Sequence, residues 1–305
     1  MITRSNAHLI VVVLVAAFLG GACDDAALTP SPVVSGASTA AASASATAVP
    51  SAPAAPAPSA PPATAASSPS AAPGWDDWSY GGATGPSHWA ELSDNYYTCR
   101  YGVTQSPIDI SGPDEMAGPD PVFRYHAGTA RILNDGHTIL AIPNGKNTLE
   151  ILRNDTLWTL RQVQFHVPSE HVIAGGDPFP AEVQFVHQHV NGMYTIVGAM
   201  VVEAAEDNGA WAPYIDAMTT PVGVEGVPAT IDWPKLLPTY RAAYFYDGSL
   251  TTPPCTERVE WIFLTDPVEL SAAQIGKMRV AYPDSARPLQ TYGTYRSLTF
   301  DEPGL

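Results

Sequence analysis

Basic residues are scarce. The 305-residue chain sets 14 Lys and Arg against 30 Asp and Glu, a formal net charge of −16. A field of that sign repels phosphates and argues against a nucleic-acid role. Long apolar runs are lacking too. Leu9–Leu19 holds only eleven apolar residues, short of the roughly 20 that a spanning helix needs. Charge and aromatics vanish altogether between 26 and 73, where 48 residues are almost only Ala, Pro, Ser and Thr, ten of them Pro. That composition excludes a packed core there, because it has too little apolar bulk to offset ordering entropy and its prolines block regular helix. Cysteine occurs only at Cys23, Cys99 and Cys255, and no internal repeat is visible.

What is there begins at Gly74. Residues 74–305 number 232 and carry all seven Trp, all 13 Tyr and a formal charge of −15. A chain of that length can bury a sizeable core.

The N-terminal run fits the apolar region of a secretory signal peptide, with a retained membrane anchor as the alternative. Gly20-Gly21-Ala22-Cys23 follows it. Small residues before a Cys resemble a bacterial lipoprotein cleavage site, although Gly20 stands where a Leu-like residue is usual. Ordinary cleavage nearby is the other option. The expected organisation is a signal peptide over 1–22, a lipidated Cys23 leading an extended linker over 23–73, and a folded domain over 74–305. The expected location is extracytoplasmic, periplasmic or cell-surface, anchored to a membrane through the lipid.

The folded part has the period-two pattern of sheet. Leu160–Val167 alternates, placing Gln162, Gln164 and His166 on one face. Glu182–Val190 alternates as well, with Glu182, Gln184 and Val186 on one face and His187 and His189 on the other. Asn191-Gly192 and then Met193–Val202 predict a hairpin with a two-residue turn. Val259–Leu264 is a further strand. Helix signals are few: Ser271 can cap Ala272–Val280, and Trp211–Met218 can form a short helix. If the first two strands are neighbours, Gln164, His166 and Gln184 meet over one cavity. Three imidazoles so placed would make a catalytic zinc site; only one of the three is His.

Several blocks occur in order: Trp78-Ser79-Tyr80-Gly81, Gln105-Ser106-Pro107-Ile108-Asp109-Ile110, Asn134-Asp135-Gly136-His137, Phe165-His166-Val167-Pro168-Ser169-Glu170-His171 and Gly248-Ser249-Leu250-Thr251-Thr252-Pro253-Pro254-Cys255. Together they resemble the alpha-class carbonic anhydrases. The resemblance implies a mostly β fold: a large, twisted, mainly antiparallel central sheet with small peripheral helices. It also implies, for active members, reversible hydration of CO2 by a zinc-bound hydroxide.

Residue by residue, the resemblance puts Gln164 and Gln184 at the first and third zinc-histidine positions and His166 at the second. Thr251 matches the hydroxyl that orients the zinc hydroxide, Glu170 the carboxylate that receives the Thr hydrogen bond, and His137 the proton shuttle. Gln162 and Glu182 match the groups behind the first and third ligands. Val186, Ile196, Leu250 and Trp261 match the apolar wall for CO2, with Thr252 beside them. His171 and His187 match buried structural histidines. Cys99 and Cys255 match a family disulfide, the redox state that export favours.

Zinc prefers imidazole and thiolate to a neutral amide oxygen. Zinc, the family's cofactor, is therefore expected to bind weakly or not at all. Two functions follow. One is a lipid-anchored, non-catalytic binding or scaffold module, whose protein partner the residues do not specify. The other is an active enzyme on CO2 and bicarbonate, with an unorthodox zinc site that recruits Glu170 or Glu182.

Overall fold

The computed structural model describes residues 78–112, 114–115, 121–144, 150–153, 156–291 and 298–301. The expected signal peptide, Cys23 and the linker lie outside the described residues.

Seven strands carry the architecture: β1 (Gly128–Asn134), β2 (Ile139–Pro143), β3 (Thr156–His166), β4 (Ala181–Gln188), β5 (Tyr194–Ala204), β6 (Ala243–Ser249) and β7 (Glu257–Leu264). They lie in a 13-stranded sheet ordered Ala229–Ile231, β1, β2, β3, β4, β5, β7, β6, Thr299–Asp301 and Asp114–Glu115. Shorter strands at Val122–Arg124, Glu150–Arg153 and Val268–Ser271 complete it. The sheet is mainly antiparallel, but β5 pairs in parallel with β7 and with Val268–Ser271.

Alternation sorts each strand between two faces. Val163 and Phe165 of β3 pack with Val183 and Phe185 of β4 in the main core, with Trp211, Tyr214 and Trp233 over them. On the opposite face Val186, Ile196, Tyr246, Trp261 and Phe263 form a second cluster with Ile108 and Ile110. The polar residues of β3 and β4 open on that second face. A β-bulge between Leu160 and Gln162 shifts the register of β3. As a result Leu160 pairs with His187 on the core side, while Gln162 pairs with Val186 on the other.

Among the described residues helices are few and short. The longest, α1 (Ala272–Ala281), starts with a capping box in which Ser271 accepts from Gln274 N and the Gln274 side chain bonds back to the cap. The expected helix over Trp211–Met218 is one α-turn, Ala212–Ile215, that tightens into a 3-10 turn over Asp216–Thr219. The β4–β5 hairpin differs from expectation. Its strands stop at Gln188 and resume at Tyr194. Gly192 N bonds to His189 O, His189 N bonds to Met193 O, and Gly192 takes φ +92°. A two-residue turn needs left-handed backbone at Asn191 as well, and Asn191 does not adopt it; a three-residue loop ending in a left-handed Gly needs it only once.

Candidate functional site

β3 and β4 run antiparallel with Gln164 directly opposite Gln184, His166 opposite Glu182 and Gln162 opposite Val186. The strands thus bring Gln162, Gln164, His166, Glu182 and Gln184 together. The loop after β6 adds Leu250, Thr251 and Thr252. A cleft of about 240 Å³ opens over them, lined by Gln162, Gln164, Gln184, Val186, Ile196, Leu250, Thr251 and Thr252, with Arg161, Gln188 and Tyr194 also on its walls.

The floor is a directional chain of amides. Gln184 Nε2 donates to Glu170 Oε2 and Glu182 Oε1, each at 2.9 Å. Two carboxylates on one amide end fix that end as NH2, so the Gln184 carbonyl faces Gln164 and accepts from its Nε2 at 2.9 Å. The same Gln164 nitrogen lies 3.3 Å from His166 Nε2. The Gln164 carbonyl accepts from Gln162 Nε2 at 2.9 Å.

His166 is oriented from behind. Its Nδ1 lies 2.6 Å from Ser285 O, a group that can only accept, so Nδ1 carries the hydrogen and Nε2 is left toward the floor. There Glu170 Oε2 stands 3.4 Å away. Tyr80 adds its hydroxyl 3.4 Å from Nδ1.

Two buried carboxylates flank the chain, and their surroundings push them apart. Burial raises the Glu170 carboxyl above its ordinary value; His166 opposes the rise, and Glu182 adds to it. Glu170 Oε1 accepts the Arg287 backbone N–H at 2.9 Å. Burial also works against ionised Glu182, but the charge and hydrogen bonds of His171 outweigh it and hold this carboxyl below its ordinary value. The His171 ring sits 3.0 Å from Glu182 Oε1, and its other nitrogen meets Tyr246 OH at 2.6 Å.

Thr251 Oγ1 is buried and makes no hydrogen bond of ordinary geometry among the described residues, although it lies close enough to Glu170 to favour its ionised form. Its loop is held on both sides. Gly248, three residues earlier, packs so closely that an added Cβ would come 2.2 Å from Ser106 Oγ. After it, Cys255 is bonded to Cys99, the pair matched by the family resemblance. Arg287 then links disulfide and site: its backbone holds Glu170 while its guanidinium donates to Cys99 O, Gln105 Oε1 and Ser106 O. Burial lowers that guanidinium to about 10.

Two expected positions fall elsewhere. Trp261 is fully buried in the cluster behind the wall, donating to Ser249 O, so it supports the cleft without lining it. His137 is not among the lining residues; its ring stacks on Trp78 with centroids 3.6 Å apart. Sequence reasoning missed Arg287, Tyr80 as a partner of His166, and the Ser285 carbonyl. The Tyr80 block was visible in the sequence. A backbone carbonyl carries no residue-type signal.

The large sheet with its polar cleft on the second face defines an alpha-class carbonic anhydrase domain. The chain belongs to that family: the family model for eukaryotic-type carbonic anhydrase matches residues 84–298. It is similar to a carbonic anhydrase of Pectobacterium carotovorum, 37% identical over 215 residues, covering 70% of this chain and 86% of that protein. Dioscorin DB3L of Dioscorea polystachya is 30% identical, with 72% and 85% covered. Among solved structures, the alpha-carbonic anhydrase of Thermovibrio ammonificans in complex with the inhibitor sulfanilamide aligns with a TM-score of 0.69 at 35% identity, covering 74% of this chain and all of that one.

The family's zinc does not fit the donors present. A zinc site needs at least three good donors, nitrogen, sulfur or carboxylate oxygen; His166 is one, and the nearby carboxylates of Glu170 and Glu182 are engaged with Gln184, the Arg287 backbone and His171. Gln164 turns its NH2 group, not a lone pair, toward Gln184 and His166, while Gln184 directs its NH2 group at the carboxylates and its carbonyl at Gln164. Turning the Gln184 carbonyl toward a metal would point its dipole away from its present bonds and leave Glu170 and Glu182 without their amide donor. Hydrogen bonds to charged acceptors contribute roughly 1.5–3 kcal/mol each, so that rotation opposes metal binding.

Proposed function

We propose that this chain is a carbonic-anhydrase-fold module that holds zinc poorly and hydrates CO2 slowly or not at all. The observation that carries the reading is the 2.9 Å bond from Gln164 Nε2 to Gln184 Oε1. It joins two ligand positions to each other by an interaction that imidazoles holding a metal would not make. A zinc ion brings bound water to a pKa of about 7. No group of this floor supplies that effect: the amides are neutral, and Glu182 is engaged with His171 and Gln184. What the cleft offers is binding, with amide and hydroxyl groups below and the apolar Val186, Ile196 and Leu250 beside them.

We propose in addition that the chain is exported and lipidated at Cys23, which would hold the module on the outer side of a membrane. The support is the eleven-residue apolar run ahead of Gly-Gly-Ala-Cys and the charge-free stretch behind it.

The test is to incubate the full chain with zinc, remove free metal by gel filtration, measure zinc per chain and follow CO2 hydration by stopped flow. Far less than one zinc per chain and hydration near the uncatalysed rate support the reading. Robust zinc-dependent hydration defeats it in favour of an active enzyme on CO2 and bicarbonate that recruits Glu170 or Glu182.

A further inference from the structure

A second cleft, of about 670 Å³, lies between the short helix Thr98–Tyr101 and the start of β7. Ser93, Asn95, Thr98, Thr256, Glu257 and Arg258 line it with hydroxyl, amide, carboxylate and guanidinium groups. On the same short segment, outside the residues that line the cleft, stand two tyrosines that the fold does not bury. Tyr97 is 62% exposed and Tyr101 54%, yet their rings stack on each other with centroids 4.4 Å apart and planes inclined by 25°. Tyr101 is covered by Tyr97 and by the Arg100 guanidinium, whose carbon lies 5.7 Å from its ring centroid, so the outer face of Tyr97 is the apolar surface left for a partner.

The surroundings are stiff. Helix Thr98–Tyr101 carries Cys99, whose disulfide to Cys255 ties it to the opposite wall of the cleft. Glu257 Oε1 accepts from the Thr104 backbone N–H at 2.5 Å and from Gln105 Nε2 at 3.1 Å, which fixes the carboxylate. Only three non-glycine residues among those described take positive φ, and two are here: Cys255 at 55° and Arg258 at 63°. Left-handed backbone at such residues costs free energy and tends to gather at working sites. Arg258 is exposed and has no ion-pair partner among the described residues.

We propose that this cleft is a saccharide-binding site, separate from the β3–β4 floor, that takes a neutral oligosaccharide. A sugar ring has an apolar C–H face and a hydroxyl edge. The Tyr97 ring, backed by Tyr101, matches the face, and the fixed Glu257 carboxylate, the Asn95 amide and the Arg258 guanidinium match the edge. Glu257 and Arg258 offset each other locally, and a chain of net charge −16 repels polyanions. Neutral sugars are therefore selected over acidic ones.

The test titrates the full chain with cellotetraose, chitotetraose, maltotetraose, xylotetraose and tetragalacturonate, using isothermal calorimetry and saturation-transfer NMR. At least one neutral sugar is expected to bind at millimolar concentration or better, with tetragalacturonate much weaker. Tyr97→Ala with Tyr101→Ala should weaken binding about tenfold or more without lowering the unfolding temperature. Arg258→Ala, which removes only an exposed side chain, is the second probe and should weaken binding severalfold. Gln188→Trp, which narrows the other cleft, should leave binding unchanged. The proposal is overturned if no neutral sugar binds, if the tyrosine and arginine variants bind as the wild type does, or if Gln188→Trp abolishes binding.

Discussion

Gln164 Nε2 donates to Gln184 Oε1 across 2.9 Å, joining adjacent strands at two positions that the sequence resemblance matches to zinc-binding imidazoles. The bond is one link of a chain that runs from Gln162 through Gln164 and Gln184 to the carboxylates of Glu170 and Glu182. Each donor in it has an acceptor. A buried polar network that is fully satisfied is rigid and costly to break. The floor is thus self-consistent as it stands.

Acid should destabilise the protein partly through His187. Burial on the core side of β4 lowers this imidazole from 6.5 to about 3, with Tyr125 OH at its Nε2 and Phe185 O at its Nδ1. Its folded pKa is depressed, so the unfolded chain binds the extra proton. The contribution is complete above pH 6.5 and is lost as pH falls toward 3, at up to about 1.4 kcal/mol per pH unit. Glu182, held low, adds a loss below its unfolded value of 4.5. Glu170 works the other way: its carboxyl is raised, so its contribution is present below 4.5 and is lost as pH rises through the folded value. Urea unfolding at several pH values, for wild type and His187→Gln, is the measurement. The variant should show a shallower acid slope by about one proton. Identical slopes would refute the assignment.

The disulfide should contribute substantially to stability. Cys99 and Cys255 are 156 residues apart, and closing a loop of that size in the unfolded chain corresponds to about 5 kcal/mol in the entropy model, an upper figure. Peptide mapping without reduction should find the two joined. Cys99→Ser with Cys255→Ser should lower the denaturant midpoint by an amount equivalent to about 2–5 kcal/mol. A midpoint within error of the wild type would show that the helix and the Thr251 loop are held without the bond.

Export makes a separable prediction. Cys23 follows small residues and precedes a stretch without charge. Wild type should partition with membranes and label with a radioactive fatty acid, while Cys23→Ser should be recovered in the soluble fraction without label. Equal partitioning of both into the soluble fraction defeats the lipid anchor.

Strand alternation made one half of the site legible. It put Gln162, Gln164 and His166 on one face and Glu182, Gln184 and Val186 on another, and the structure pairs those faces residue for residue. The pairing of β3 with β4 was not local information. It needs the sheet order, which sequence periodicity does not carry and the family resemblance did. The hairpin turn failed because Asn-Gly is compatible with more than one loop, and local φ decides between them. Trp261 failed as a lining residue because an apolar residue at strand spacing suits the wall and the layer behind it equally well. Arg287 was invisible because its bonds go mostly to backbone carbonyls reached over more than 180 residues of chain.

The last prediction puts imidazoles in place of the two central amides. Gln164→His with Gln184→His completes three imidazoles over the His166 face. The groups behind them are in place: Glu182 Oε1 already accepts a hydrogen bond from the side chain at 184, and Gln162 can turn its amide to accept from an imidazole at 164. Such supporting partners fix ring orientation and raise donor strength. Either substitution alone should do much less. Gln164→His leaves the Gln184 NH2 tied to two carboxylates, and Gln184→His leaves Gln164 presenting N–H to the centre. The expected result is close to one zinc per chain in the double variant and little in wild type or in either single variant, read by elemental analysis after gel filtration. CO2 hydration should rise only with the double variant and only with zinc. A double variant that folds but retains no zinc would mean that the β3–β4 floor has changed beyond its two ligand positions, and the residue correspondence at Gln164 and Gln184 would have to be abandoned.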